Sequence, residues 1–182
     1  MSAAAAAERF IRDIPDFPEP GVVYKDITPL LADPAAFDAA LIAMTTPWAD
    51  AAVDVVVGIE ARGFIFGAAI ARALGVSFVL VRKPGKLPFA TTSVDYGLEY
   101  GTDTLEMHTD AISAGQKVVV IDDVLATGGT ASATVELVVG QGGDVVGFGF
   151  LVELGFLDGR SKLGGAHIES LILLGNTVVR GA

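Results

Sequence analysis

The sequence contains no cysteine, which excludes a disulfide framework and a thiolate metal site and fits a cytoplasmic location. It has two histidines, His108 and His167, without ligand-like spacing to each other or to acids, so both read as structural. No apolar run approaches the ~20 residues needed to cross a bilayer. Basic residues are scarce: 12 Lys and Arg against 22 Asp and Glu give a formal net charge of −10. A surface this acidic argues against non-specific binding to nucleic acid or to anionic membranes. The positive charge that exists is concentrated, with three of the 12 basic residues at Arg82, Lys83 and Lys86.

What is present is a hydrophobic fraction of 52% in 182 residues, enough to bury a core and consistent with one domain over residues 1–182. Met1 and Ser2 precede five alanines; without a basic n-region, and with Glu8-Arg9 closing the run, this predicts an alanine-rich helix capped by Ser2 rather than a signal peptide. The helix is expected over residues 3–14, with Phe10, Ile11 and Ile14 on its apolar side. Pro15, Pro18 and Pro20-Gly21 then break the chain. FPEPGVVYKDITPLL, residues 17–31, is too rich in proline for an interior strand and too apolar for a plain linker. It reads equally as a loop packed over the core and as a loop closing a pocket, with Tyr24 as an aromatic wall.

Asp33-Pro34 pairs an N-cap with a first-turn proline and opens a helix to about Trp48. VDVVVGI at 53–59 reads as a buried strand, 64–74 as a helix closed by Gly75, and 76–81 as a second buried strand. Strand–helix–strand implies a parallel pair with a right-handed crossover. Residues 82–110 interrupt this rhythm. Gly97 and Gly101 flank Leu98-Glu99-Tyr100, and alternation on either side predicts two antiparallel strands joined by a mobile tip. Strands at 117–121, 145–154 and 168–174 and a helix at about 130–140 follow. The fold class is α/β: a mostly parallel, twisted sheet of four or five strands with helices on both faces. Ligands of such sheets sit at the carboxyl ends of the strands, where residues 60–63 and 122–130 fall.

The most informative stretch is VVVIDDVLATGGTASATVELV, residues 118–138. A β-branched run delivers Asp122 and Asp123 to a small-residue turn, Ala126, Thr127, Gly128, Gly129 and Thr130, ahead of a helix N-terminus. Backbone N–H groups, hydroxyls and the helix dipole can converge there on one anion. It is neither a Walker A loop nor a GxGxxG turn. Carboxylates repel phosphate, so the two acids should face something else on the same ligand. Vicinal sugar hydroxyls are the natural partners, and the combination suggests a ribose 5-phosphate group. Glu60-Ala61-Arg62-Gly63 and the cluster of Arg82, Lys83 and Lys86 together imply a second, more highly charged phosphate group.

VVVIDDVLATGGT resembles the 5-phosphoribosyl-1-pyrophosphate (PRPP) motif of the type I phosphoribosyltransferases. FPEPGVVYKDITPLL resembles the base-binding segment of the adenine-using branch of that family, GIEARGFIFG at 58–67 its pyrophosphate loop, and RKPGKLP with YGLEYGTDTLEMH, residues 82–88 and 96–108, its flexible catalytic loop. The resemblance runs from about residue 10 to 174 and implies the family fold, with a base-binding hood over about 1–35 and a flexible antiparallel catalytic loop over about 82–108. It implies a purine-salvage reaction that joins adenine to PRPP. It places the 5-phosphate on Ala126, Thr127, Gly128, Gly129 and Thr130, and the ribose hydroxyls on Asp122 and Asp123. Pyrophosphate is implied at Ala61, Arg62 and Gly63, helped by Arg82, Lys83 and Lys86 from the partner of a homodimer. Adenine is implied between Tyr24 and Val124, its edge read by backbone groups of Val23 and Lys25. Glu99, with Tyr100 beside it, is implied in proton handling. Magnesium is implied as an ion carried by PRPP, without a dedicated protein site.

Three other readings compete. A phosphoribosyltransferase for another base conflicts with FPEPG and YGLEYG. A non-catalytic nucleotide sensor conflicts with the acidic charge and with the absence of a helix-turn-helix pattern before Phe17. A generic sugar-phosphate binder leaves the acid-bearing insertion unexplained.

Overall fold

A computed structural model describes residues 2–97 and 102–175 of the chain. Its centre is a five-stranded parallel sheet built from β3 (Val55–Ile59), β4 (Ser77–Val81), β7 (Lys117–Leu125), β8 (Asp144–Leu154) and β9 (Ile168–Leu174), in the order β4-β3-β7-β8-β9. The period of two along each strand sorts side chains between two cores. Val55, Val57 and Ile59 of β3, with Val118 and Val120 of β7, pack under α5 (Gly129–Gly140). Val56, Val119 and Ile121 face the other way, onto α1 (Ala3–Glu8), α2 (Thr28–Ala32), α3 (Pro34–Thr45) and α4 (Gly63–Leu74). Helices therefore cover both faces, as the apolar strand runs require. The GFGF alternation of β8 shows the same logic. Phe148 and Phe150 stack on one face, while Gly147 and Gly149 leave room on the other for buried Trp48, whose ring lies 2.6 Å from where a Cβ on Gly147 would stand.

Local signals hold where they are specific. Ser2 accepts the N–H of Ala5, Asp33 accepts that of Ala36, and Gly75 closes α4 at φ 72°. α3 ends at Thr45 and a 3-10 turn, Thr46–Trp48, completes the segment. The first helix is shorter than its pattern suggests. It stops at Glu8, and Ile14 lies in a strand, β1 (Arg12–Pro15), paired antiparallel with β2 (Val23–Asp26). The ribbon is held by charge across its register: Arg12 faces Asp26 and Asp13 faces Lys25, each pair 2.6 Å apart. Pro15 also suits the end of a two-stranded ribbon better than a helix interior. β4 is not fully buried either. It is an edge strand, and only Val81 of its five residues is buried. An apolar run cannot report whether a second neighbour will flank it.

The insertion forms an antiparallel arm of β5 (Thr91–Gly97) and β6 (Thr102–His108), in register from Thr91↔His108 to Gly97↔Thr102. Its base is part of the core, since Leu105 and Met107 are fully buried against the α5 side of the sheet. Among the described residues no helix is long and apolar enough to cross a membrane.

Candidate active site

The strand order places β4 on one side of β3 and β7 on the other, so the chain reverses its direction of winding between them. A crevice opens at the carboxyl ends of strands at such a switch point. Residues 60–63 leave β3 there, next to the end of β7. Contact is close enough to require glycine: a Cβ on Gly63 would come within 2.7 Å of Asp122 Oδ1 and 2.9 Å of the Ile121 carbonyl. β7 is longer than its β-branched run, and both acids lie within the strand rather than after it. Asp122 and Asp123 are consequently buried, 8% and 4% exposed.

Two carboxylates side by side out of water do not ionise equally. Burial, then the charge of Asp123, pushes Asp122 well above the usual carboxylate range. Burial raises Asp123 too, but Arg62 pulls it back. Arg62 Nε stands 2.7 Å from Asp123 Oδ2, although that oxygen has no well-aligned hydrogen bond. One cation thus serves two acids, leaving the pair short of donors. The Arg62 guanidinium also lies 4.9 Å from the Tyr24 ring centroid, and Tyr24 meets Phe17 edge-on at 5.1 Å. Tyr24, Arg62 and Asp123, from three separate stretches, form one continuous contact. Among the described residues β2 pairs with β1 alone, so the second edge of the segment Val23, Tyr24 and Lys25 is not covered by another strand. Val124, partly buried, packs among the residues under α1 to α4.

The glycine turn caps α5 without help from any side chain, and Gly128 takes the left-handed conformation at φ 78°. The first N–H groups of a helix have no partner inside it, so this end of α5 presents free donors and the positive pole of the dipole to an anion. The turn is walled on two sides. A Cβ on Gly128 would meet the Gly159 carbonyl at 2.4 Å, and one on Gly129 would meet Tyr96 at 3.3 Å and the Gly97 carbonyl at 3.5 Å. Gly97, paired with Thr102, brings the end of the arm onto the glycine turn. Glu99 and Tyr100 lie in residues 98–101, outside the described residues.

The basic cluster is drawn inward. Glu60 accepts from Arg82 Nε and from the Lys83 N–H, both at 3.0 Å, with Lys86 Nζ at 3.9 Å. Burial disfavours the Glu60 charge, but these donors outweigh it and hold the carboxyl below its ordinary range. The Lys83 ammonium pairs with Asp103 of the arm and lies 3.3 Å from the Tyr96 hydroxyl, which also donates to Asp103 at 3.2 Å. Tyr96, Asp103 and Gly159 are the neighbours of the site that sequence reasoning missed. Tyr96 and Asp103 sit on the alternating arm with nothing to mark them, and the closeness of Gly159 has no local signal.

A phosphoribosyl transferase domain model matches residues 30–163. An adenine phosphoribosyltransferase of Maridesulfovibrio salexigens is 57% identical over 165 residues, 91% of this chain and 97% of its own. The crystal structure of the adenine phosphoribosyltransferase of Thermoanaerobacter pseudethanolicus superposes with a TM-score of 0.92 at 51% identity, covering 94% of this chain and 99% of that one. That of Saccharomyces cerevisiae, complexed with an imino-altritol bisphosphate and adenine, gives a TM-score of 0.89 at 40% identity over 93% of this chain and 98% of that one.

Proposed function

The chain belongs to the adenine phosphoribosyltransferases, within the wider phosphoribosyl transferase family, and from that premise we propose how its residues act. The reaction transfers the 5-phosphoribosyl group of PRPP to adenine, giving AMP and pyrophosphate. The observation that best supports the assignment of parts is the continuous contact of Tyr24, Arg62 and Asp123. It joins a base wall, a pyrophosphate loop and a ribose acid at the mouth of one crevice.

In this reading the 5-phosphate is received by residues 126–130 at the head of α5, through backbone N–H groups and the Thr127 and Thr130 hydroxyls. Asp122 and Asp123 accept the ribose hydroxyls, which supply the donors that one arginine cannot. Ala61, Arg62 and Gly63 hold the pyrophosphate, and Arg82, Lys83 and Lys86 add charge there. Tyr24 and Val124 clasp adenine, with Val23 and Lys25 reading its edge through their backbone. The imidazole nitrogen of adenine bonds to C1 of the ribose as the C1–pyrophosphate bond breaks. Glu99, with Tyr100 beside it, takes the proton that nitrogen loses. The arm closes over the reacting carbon and keeps water from it.

Asp122 and Asp123 are the acids assigned to the ribose, and among the described residues no group of three His, Asp or Glu converges on one point. That donor set fits magnesium held mainly by PRPP oxygens, where it would neutralise the charge of the leaving pyrophosphate. The proposed assembly is a cytoplasmic homodimer of one-domain subunits, with the hood over about 1–35 and the arm over about 82–108. In that assembly Arg82, Lys83 and Lys86 reach the neighbouring site; sedimentation of the purified protein at twice the monomer mass is the expected outcome, and sedimentation at the monomer mass overturns it.

The decisive assay presents adenine, hypoxanthine, guanine, xanthine and orotate separately with PRPP and magnesium and reads pyrophosphate release. Turnover on adenine alone is expected. Comparable turnover on another base overturns the base assignment, and none on any base overturns the activity. For the proton role, Glu99→Ala should lower turnover on adenine by more than about tenfold, roughly 1.4 kcal/mol in barrier; a smaller loss removes the assignment.

A further inference from the structure

A third buried carboxylate lies one strand from the site and belongs to no part of the reaction described above. Glu153, near the end of β8, is 4% exposed. Arg160 binds it with a two-pronged fork, Nε to Oε1 at 2.6 Å and Nη2 to Oε2 at 2.7 Å. Ser170 of β9 donates to Oε2 at 2.6 Å, and Arg160 reaches the Ile168 carbonyl at 3.4 Å. Arg160 lies in a 3-10 turn, Gly159–Leu163, whose Leu163 is buried in the core under α5. The fork therefore fixes Arg160 between the end of β8 and the first half of β9, and Gly159 is its neighbour in the chain.

Gly159 is where this anchor meets the anion site. A Cβ on Gly159 would come within 2.3 Å of the Ala126 carbonyl and 3.0 Å of the Gly128 nitrogen, and a Cβ on Gly128 would come within 2.4 Å of the Gly159 carbonyl. The two backbones touch with no side chain between them. Apart from Tyr96 and Gly97 on its other side, the glycine turn has little else to hold it. No side chain caps α5, and the N–H groups of Thr127 and Gly128 donate to nothing among the described residues. A turn whose donors must stay free for a ligand cannot be fixed by its own hydrogen bonds. Contact from outside has to do it.

We propose that Arg160, held by Glu153 and Ser170, is a positioning residue for the 5-phosphate site: the fork sets Gly159 against the turn at residues 126–130 and so fixes where its free N–H groups point. This rests on residues 126–130 receiving the 5-phosphate. The geometry explains why an arginine is used. A planar fork on a buried carboxylate fixes direction as well as distance, which a lysine point charge does not.

The test uses the full-length protein with three variants: Arg160→Lys, the charge-neutral pair Glu153→Gln with Arg160→Met, and Gly159→Ala. Ribose 5-phosphate and pyrophosphate are titrated separately by calorimetry, and KM for PRPP and for adenine is measured alongside a thermal melt. The paired variant leaves no buried charge unpartnered, so it folds even where a single substitution fails. In it, ribose 5-phosphate should bind about tenfold more weakly or worse, the scale expected when a site is displaced by a fraction of an ångström. Pyrophosphate affinity, adenine KM and kcat should stay within about threefold, and Arg160→Lys should fall between it and wild type. Unchanged ribose 5-phosphate affinity in a folded paired variant overturns the proposal. So does a uniform fall of all parameters with the folded fraction, which marks a role in stability alone. Wild-type protein that binds no ribose 5-phosphate would instead overturn the assignment of residues 126–130.

Discussion

β7 and β8 lie side by side, both carry carboxylates toward the same end of the sheet, and both bury them, yet the acids are provisioned in opposite ways. On β8, Glu153 has an arginine fork and a serine hydroxyl, and although burial opposes its charge these donors hold it below the ordinary range. Its partner Arg160 is in turn raised by it. On β7, two acids share Arg62, and burial with their mutual repulsion drives Asp122 far upward. Similar solvent exposure therefore says little about role. The count of donors does. Glu153 is satisfied by its own chain, whereas among the described residues Asp122 and Asp123 have only Arg62 and backbone N–H donors, and under the proposed function the ligand brings the rest. The vicinal hydroxyls of a ribose are such donors.

The contrast breaks most sharply at β7. Asp122→Asn or Asp123→Asn should weaken PRPP binding by roughly 10- to 100-fold, the worth of one or two hydrogen bonds to a charged group. The same Asp122→Asn should leave the melting temperature at pH 7 unchanged or higher. Calorimetry with PRPP and a thermal melt check the two halves, and a stability loss alongside intact binding would reverse the interpretation of β7.

At β8 the order is inverted. Arg160→Met strands a buried Glu153 and should cost about 3 kcal/mol of stability. In a chain of this size that lowers the melting temperature by roughly 6–12 °C. Arg62→Met likewise leaves buried Asp123 without its cation and should also lower the melting temperature, with the loss smaller at low pH, where the pair takes up a proton.

The pH dependence separates the acids by sign. Asp122 has a raised folded value, so the native state binds the extra proton and stability falls as pH rises through that value. The gain from Asp122→Asn is thus largest above it and fades toward the ordinary value of 3.8. Glu153 has a lowered folded value, so its contribution is complete above the ordinary 4.5 and is lost as pH falls through the folded value. Glu153→Gln should therefore be less stable than wild type at neutral pH and converge with it in acid. Denaturant midpoints at a series of pH values read both. The smallest effect is that of Ser170→Ala, which removes one of the donors of Glu153 at a cost of about 1 kcal/mol.

How much of this was legible in the sequence depends on how far apart the cooperating residues lie. The strand, acids and glycine turn of residues 118–138 announce themselves because each signal sits within a few positions of the next: a β-branched run, adjacent carboxylates, a left-handed glycine, a helix start. Ser2 and Asp33 as caps and Gly75 as a helix stop are local in the same way. The first helix ends before its apolar pattern does because the pull on residues 12–15 comes from Asp26 and Lys25, across a turn. β4 looked buried because its composition is apolar, while its exposure follows from strand order.

The sequence by itself determined which chemical groups this protein has to work with. The acids, the glycine turn, the aromatic hood and the basic cluster are all readable residue by residue, and so is the alternation of strands and helices that carries them. Only the tertiary structure decided which of them meet. Arg62 reaching both Asp123 and Tyr24, Glu60 gathering Arg82 and Lys86, and Gly159 pressed on Gly128 each join segments tens of residues apart. Periodicity and caps are settled between chain neighbours. Contacts between loops exist only once strand order has brought those loops to the same end of one sheet.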